Sequence, residues 1–127
     1  MIRSKLLLVD DEKDFVIALA ERLRLRNYDT RVANSGEAAL SEIQKERPDI
    51  VLLDLKMPGM SGLETLKKIK AEDPSIEVVM LTGSISIDGK SGKDGLKAGA
   101  AEYMVKPIEI ESLVEKLKEI RKRSGLV

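Results

Sequence analysis

Short apolar runs alternate with longer amphipathic stretches along the whole chain. Apolar runs that are bounded by turn residues indicate strands, and continuous ones indicate strands buried on both faces of a sheet. The sequence contains five such segments: Leu6–Val9, Tyr28–Ala33, Ile50–Asp54, Val78–Leu81 and Glu102–Val105. The chain therefore has a strand at regular intervals along its length.

The stretches between and after these strands carry apolar residues at helical spacing. They predict a helix over Asp14–Arg26, a second capped by Asn34, a third over Gly62–Ala71 that starts at a Ser61 cap, and a last helix over Ile108–Lys122. The residues expected to face the core are Phe15, Ala18, Leu19 and Leu23, then Ala38, Leu40 and Ile43, then Leu63, Leu66 and Ile69, and finally Ile110, Leu113, Val114, Leu117 and Ile120.

One segment does not fit a long helix. Gly89, Gly92 and Gly95 lie between the fourth and fifth strands, and in a continuous helix they would together cost roughly 3 kcal/mol. We therefore predict a loop from Ser84 onwards that leads into a short helix near Leu96.

Alternation of strands and helices is typical of an α/β fold. We predict a doubly wound, five-stranded parallel sheet of order 2-1-3-4-5, flavodoxin-like, with helices on both faces. In this order the first and third strands are neighbours, so Asp10 and Asp11 should meet Asp54 at one edge. Thr82 and Lys106 end the fourth and fifth strands at the same edge.

Length and composition narrow the function classes. The 127 residues fit a single domain, with a core at about 5–122 and a tail or linker start at 123–127. Without Cys or His the chain has no thiolate or imidazole metal ligand and no cysteine nucleophile. Because Lys plus Arg equals Asp plus Glu at 22 each, we expect no binding to nucleic acid or to an anionic membrane. No apolar run is long enough to span a bilayer, so we expect a cytoplasmic protein.

The predicted edge suits phosphoryl transfer. Carboxylates that crowd together repel one another unless a cation is present, and an oxygen-only site favours Mg²⁺. Asp10 and Asp11 could then bind the metal while Asp54 acts as a nucleophile, since carboxylates form acyl phosphates. Lys106 would balance charge on the phosphoryl oxygens, and Thr82 would donate a hydrogen bond to another.

These residues together resemble a known family. Asp10-Asp11, the run from Asp54 to Gly62, Leu81-Thr82-Gly83 and Lys106-Pro107 are similar to the motifs of the receiver domain of bacterial two-component response regulators, and the likeness covers essentially the whole chain. The chain departs from the family between Thr82 and Lys106, where it is slightly longer and richer in glycine.

The resemblance implies a role for each matching residue. Asp54 corresponds to the phospho-acceptor, and Asp10, Asp11, Asp54 and the backbone carbonyl of Lys56 to the Mg²⁺ ligands, with Mn²⁺ as a substitute. Thr82 and Lys106 match the phosphate-contacting hydroxyl and ammonium. Thr82 and Tyr103 match the switch pair, and the peptide bond before Pro107 is expected to be cis.

The resemblance also implies a partner and a response. A histidine kinase or phosphotransfer protein would supply the phosphoryl group, and slow autodephosphorylation would remove it, so the domain would be a signalling module and not an enzyme acting on a separate substrate. Phosphorylation would change the conformation, with a homodimer as one outcome. Because its glycines leave the segment Ser84–Gly95 weakly held, we predict that this segment moves in that change.

Two other classes stay open at this stage. An aspartate-nucleophile phosphohydrolase would also use Asp and Mg²⁺, but such enzymes commonly carry a second acid two residues after the nucleophile, where this chain has Lys56. A non-phosphorylated pseudo-receiver that acts only as an interaction module would be expected to lose acidic or lysine positions that this chain retains.

Overall fold

The computed structural model describes residues 4–83 and 95–125. Within these residues the strands are β1 (Lys5–Val9), β2 (Asp29–Ala33), β3 (Ile50–Asp54), β4 (Glu77–Thr82) and β5 (Glu102–Val105). The helices are α1 (Lys13–Leu25), α2 (Gly36–Lys45), α3 (Gly62–Glu72) and α4 (Ile110–Arg123), and residues 95–97 are also helical.

The strands form one parallel sheet in the order β2-β1-β3-β4-β5, which confirms the predicted topology. The register aligns the carboxyl ends of neighbouring strands: Val9 pairs with Leu53, and Asp54 pairs with Leu81. Thr82 pairs with Val105. Residues that follow these strand ends therefore lie along a single edge of the sheet.

Two apolar layers cover the sheet, one on each face. Alternate side chains of a strand point to opposite faces, so Leu7 and Leu53 join the layer built with α2 and α3, while Leu6 and Leu52 join the layer built with α1 and α4. Each fully buried leucine contributes roughly 1.5–3 kcal/mol of transfer free energy. Burial on both faces explains why β1 and β3 are continuous apolar runs and do not alternate with polar residues.

Serine side chains cap the two helices that face the first layer. The Ser61 hydroxyl accepts a hydrogen bond from the Glu64 backbone N–H at 3.2 Å, which confirms the predicted start of α3. The predicted Asn34 cap of α2 is wrong, because Ser35 accepts from Ala38 at 3.0 Å and takes that position.

The predicted inward face of α1 needs a correction. Leu19 and Leu23 are buried as expected, but Ala18 is exposed and Val16 is fully buried in its place. Successive helical residues turn by about 100°, so a face that includes positions 16, 19 and 23 points position 18 away from the sheet. Phe15 is only partly buried.

The inward faces of the other helices are closer to expectation. In α2, Ile43 is buried as predicted, whereas Ala38 and Leu40 are partly buried and Ala39 is the fully buried residue. Of the residues predicted to face the core from α3 and α4, five are fully buried: Leu66, Ile69, Leu113, Leu117 and Ile120. The other three are partly buried: Leu63, Ile110 and Val114.

Several predicted boundaries shift by one or two residues. Tyr28 precedes β2, β4 extends one residue further at each end, and α4 begins at Ile110. The loop predicted from Ser84 and the movement predicted for Ser84–Gly95 fall almost entirely on residues that lie outside the described part of the chain. No helix in residues 4–83 or 95–125 is long and apolar enough to cross a membrane.

Candidate functional site

Three carboxylates meet at the carboxyl edge of the sheet. Asp10 follows β1, Asp11 is next to it, and Asp54 is the last residue of β3. One oxygen from each lies within 4.8 Å of the others. Asp10 is 0% exposed and Asp54 is 4% exposed, while Asp11 faces solvent. The structure thus brings together the three acids that the sequence placed on this edge.

Hydrogen bonds fix the position of Asp10 from several sides. Its backbone N–H donates to the carbonyl of Ala33 in β2 at 3.1 Å, and its own carbonyl accepts from the Asn34 side-chain amide at 3.1 Å. Its Oδ1 accepts from the Glu12 backbone N–H at 2.9 Å. Asp10 is therefore held by the turn into α1 and by the end of β2.

Lys106 brings a positive charge into this group of acids. Its Nζ lies 2.8 Å from Asp10 Oδ2, 3.1 Å from Glu12 Oε1 and 3.5 Å from Asp54 Oδ1. The same atom is 4.6 Å from the centre of the Phe15 ring, a distance at which a cation and an aromatic face attract each other. The Lys106 ammonium is thus shared by three carboxylates and one ring.

Burial and neighbouring negative charges determine the pKa of Asp54. Burial, together with the charges of Asp10 and Asp11, raises the pKa of Asp54 to about 6, while Lys106 opposes the rise. Burial alone would lower the pKa of Lys106, but its hydrogen bonds to Asp10 and Glu12 and the charge of Asp54 outweigh burial and raise it. Lys106 is therefore a permanent cation beside a carboxylate that is costly to ionise.

The chain between β3 and α3 turns sharply next to Asp54. The Leu55 N–H donates to the Leu81 carbonyl at 2.8 Å, and the Gly62 N–H donates back to the Leu55 carbonyl at 2.9 Å. Gly59 has a φ of +76°, a left-handed conformation that favours glycine. Lys56 lies in this turn with an exposed side chain. That its backbone carbonyl binds metal stays a prediction.

Thr82 and Tyr103 occupy neighbouring strands near this edge. Thr82 is 3% exposed at the end of β4, and its carbonyl accepts from the Lys106 N–H at 2.8 Å. Tyr103 is half-buried and pairs with Met80, two residues before Thr82. Because residues two apart in a strand share a face, Thr82 and Tyr103 lie on the same side of the sheet. The expected cis bond before Pro107 is present.

The structure adds neighbours that the sequence did not reveal. Glu12 and Phe15 contact Lys106, and Asn34 binds the backbone of Asp10. The one signal for Glu12 was its place directly after Asp10-Asp11 in the same turn. No pattern in the sequence indicated the contacts of Phe15 and Asn34, because one is a helix residue of ordinary spacing and the other reads as a cap.

The donor set fits a hard divalent cation. All three acidic side chains offer oxygen, which suits Mg²⁺ or Mn²⁺ better than metals that prefer nitrogen or sulfur. The oxygens of Asp10, Asp11 and Asp54 lie within 4.8 Å of one another, close enough to face a single cation. The acids in this geometry can hold one ion between them.

Comparison with known proteins identifies the class to which this fold and site belong. The family model of the response regulator receiver domain matches residues 6–118. A solved receiver domain from Methanospirillum hungatei, described as CheY-like, superposes with a TM-score of 0.90 at 29% identity and covers 98% of each chain. The chain belongs to the receiver domain family of two-component response regulators, which generally bind Mg²⁺ at an acidic pocket.

Individual relatives differ in length. The chain is 37% identical to sporulation initiation phosphotransferase F of Bacillus subtilis over 119 residues, covering 94% of both proteins. It is 34% identical to the transcriptional regulatory protein PrrA of Mycobacterium tuberculosis over 121 residues, 95% of this chain and 51% of that protein. The chain therefore spans nearly the whole of one relative and about half of the other.

Proposed function

We propose that this receiver domain, with a core over residues 5–122, accepts a phosphoryl group on Asp54 in a reaction that depends on a divalent cation. The observation that carries the proposal is the position of the Asp54 carboxylate, which has an oxygen within 4.8 Å of those of two other acids and lies 3.5 Å from the Lys106 ammonium. A nucleophilic carboxylate with an adjacent fixed cation suits attack on an anionic phosphorus centre.

Each neighbour supports one requirement of the reaction. Asp10, Asp11, Asp54 and the Lys56 carbonyl would hold Mg²⁺, which when bound neutralises charge on the phosphoryl oxygens. Lys106 would move from its carboxylate partners to a phosphoryl oxygen. Its path is short, because its Nζ already lies within 3.5 Å of Asp54.

The same edge can couple phosphorylation to a change of shape. Thr82 ends β4 beside the strand that carries Asp54, so its hydroxyl would be drawn to the new phosphoryl group. Tyr103 lies on the same face of the sheet and would adjust to the space that Thr82 leaves. This switch is a proposal that rests on shared register and on the small distance between neighbouring strands.

The partner class follows from the family. Receiver domains of response regulators work with histidine kinases, and we propose a histidine kinase or phosphotransfer protein as the donor for this chain, with slow autodephosphorylation as the return step. Output, dimerisation on phosphorylation and a cytoplasmic location stay predictions.

The test is to incubate the metal-free protein with acetyl phosphate, with and without Mg²⁺, and to measure the intact mass. We expect a gain of one phosphoryl group that requires Mg²⁺ and is absent in Asp54→Asn. Asp14→Asn is the matched control, because it removes an exposed carboxylate at the start of α1 and should label normally.

Other results would contradict the assignment. Full labelling of Asp54→Asn would place the phosphoryl group elsewhere. Rapid turnover of varied phosphate esters would favour the phosphohydrolase, and no labelling with any donor would favour a pseudo-receiver.

A further inference from the structure

Glu12 has an arrangement that the proposed reaction does not explain. It is the residue that precedes the first turn of α1, a position at which Ser, Thr, Asp or Asn side chains accept hydrogen bonds from the helix N–H groups and at which the helix dipole favours a negative charge. Here its side chain makes no such bond. Its Oε1 instead lies 3.1 Å from Lys106 Nζ, across 94 residues of chain.

The Glu12 carboxylate also stands apart from the proposed metal ligands. The oxygens that lie close enough to share an ion among the described residues come from Asp10, Asp11 and Asp54. Glu12 is 65% exposed at its side chain, and the Lys106 side chain is 14% exposed. The exposed Glu12 carboxylate therefore lies on the solvent side of the largely buried Lys106 ammonium.

We propose that Glu12 is a positioning residue that slows phosphorylation by anionic donors: its carboxylate holds Lys106 away from the incoming phosphoryl group and repels that group at the entrance. The inference rests on the proposed function, because it assumes that Asp54 is the acceptor. Lys106 Nζ lies 2.8 Å from Asp10 and 3.1 Å from Glu12 but 3.5 Å from Asp54, so Glu12 acts together with Asp10 in holding the ammonium away from the acceptor.

The reaction step balances in charge. An Asp54 carboxylate oxygen bonds to phosphorus of acetyl phosphate as the bond from phosphorus to the acetate oxygen breaks, and the electron pair leaves with acetate. The carboxylate and the dianionic donor become an aspartyl phosphate dianion and an acetate anion, with no proton transferred. A negative charge beside the entering phosphoryl group opposes this approach, and a cation that is free to meet it assists.

Removing the charge of Glu12 should therefore speed the reaction. We expect Glu12→Gln to raise the second-order rate constant for acetyl phosphate about threefold to tenfold at low salt. Asp14→Asn is the matched control, since it removes the same charge two residues further along the chain, in the first turn of α1, and it should leave the rate within about 1.5-fold of the original. Labelling is followed by intact mass, because the chain contains no Trp.

Two further measurements separate a charge effect from a general structural one. Phosphoramidate carries one negative charge fewer than acetyl phosphate at neutral pH. The rate increase caused by Glu12→Gln should therefore be smaller with phosphoramidate than with acetyl phosphate. The gain with acetyl phosphate should also shrink as ionic strength rises from about 10 mM to about 500 mM, because salt screens exposed charges. The Mg²⁺ dissociation constant, measured by titration without donor, should change by less than about twofold in Glu12→Gln.

The outcomes distinguish the two proposals. Labelling of the original protein with no faster labelling of Glu12→Gln would overturn the role of Glu12 and leave the acceptor assignment standing. A rate gain that is equal for both donors and independent of salt would overturn it as well, and so would a tenfold weaker Mg²⁺ affinity, which would make Glu12 a ligand. No labelling of the original protein would remove the proposed function itself.

Discussion

Gly62 begins α3 directly against the main-chain carbonyl of Asp54. A Cβ atom on Gly62 would lie 2.1 Å from that oxygen and 2.7 Å from the Cα atom of Leu55. Both contacts are with backbone, which cannot rotate away as a side chain can. The close approach of α3 to the end of β3 therefore depends on the absence of a side chain at position 62.

We expect Gly62→Ala to lower the free energy of unfolding by about 1–3 kcal/mol, because overpacking must displace the backbone beside Asp54. The same shift should slow phosphorylation by acetyl phosphate. Urea unfolding and labelling rates check the two effects. Gly83→Ala is the control, since a Cβ atom there meets no atom of the described residues within 4 Å. Equal stability of the two variants would show that α3 can move without cost.

The raised pKa of Asp54 predicts a dependence of stability on pH. The folded protein has a pKa of about 6 at this residue, against 3.8 as the ordinary value. Between these values the folded state binds more protons than the unfolded state, so the contribution of Asp54 to stability falls as pH rises from about 4 to about 6. Above about pH 6 the ionised carboxylate destabilises the metal-free fold by about 2 kcal/mol, after allowance for solvent screening.

The Asp54→Asn variant has no ionisable group at this position, so the destabilisation by the ionised carboxylate should be absent. We expect the variant to be more stable than the original protein at pH 7 by about 2 kcal/mol, with an advantage that shrinks through pH 6 and disappears near pH 4. Urea unfolding with a chelator present measures it. Asp14→Asn should show no such pH-dependent gain, and a constant difference for Asp54→Asn at all pH values would reject the explanation.

Lys106 compensates buried negative charge in the metal-free protein. Lys106→Met keeps a similar length but leaves Asp10, which is 0% exposed, without its 2.8 Å ion pair. We expect a loss of about 2 kcal/mol in the free energy of unfolding and a larger rise in melting temperature on adding Mg²⁺ than in the original protein, since the ion then supplies the missing charge.

The control for Lys106→Met is the same substitution at a more exposed ion pair. Lys116→Met removes a 3.3 Å contact to Glu102 with both side chains about one-third exposed, and it should cost less than about 1 kcal/mol. Its response to Mg²⁺ should equal that of the original protein. An equal Mg²⁺ response in Lys106→Met would mean that the ion and the ammonium do not share the same carboxylates.

Mg²⁺ should stabilise the folded protein through Asp10, Asp11 and Asp54. A ligand that binds only the folded state at ten times its dissociation constant adds about 1.4 kcal/mol. We expect a rise in melting temperature with millimolar Mg²⁺ that is reversed by a chelator and is strongly reduced in Asp11→Asn. Asp14→Asn should keep the full rise. Equal rises in both variants would place the metal elsewhere.

Local patterns in the sequence were sufficient to predict the sheet and the residues at its edge. Continuous apolar runs identified β1 and β3, and their order followed from the rules for parallel crossovers. Because parallel strands end at one edge, the sequence alone places Asp10, Asp11, Asp54, Thr82 and Lys106 together. Hydrophobic periodicity and turn residues involve only a few neighbouring positions, so both can be recognised in the sequence itself.

Tertiary structure decided what each side chain at that edge touches. Asn34 was expected to cap α2 but binds the Asp10 carbonyl, and Ser35 caps the helix instead. Glu12, to which the sequence assigned no role, contacts Lys106. Such contacts join residues that are far apart in the chain, and they depend on strand register, the angle at which α1 leaves the sheet and the burial of each charge. None of these quantities is set by neighbouring residues alone, so only the folded chain determines them.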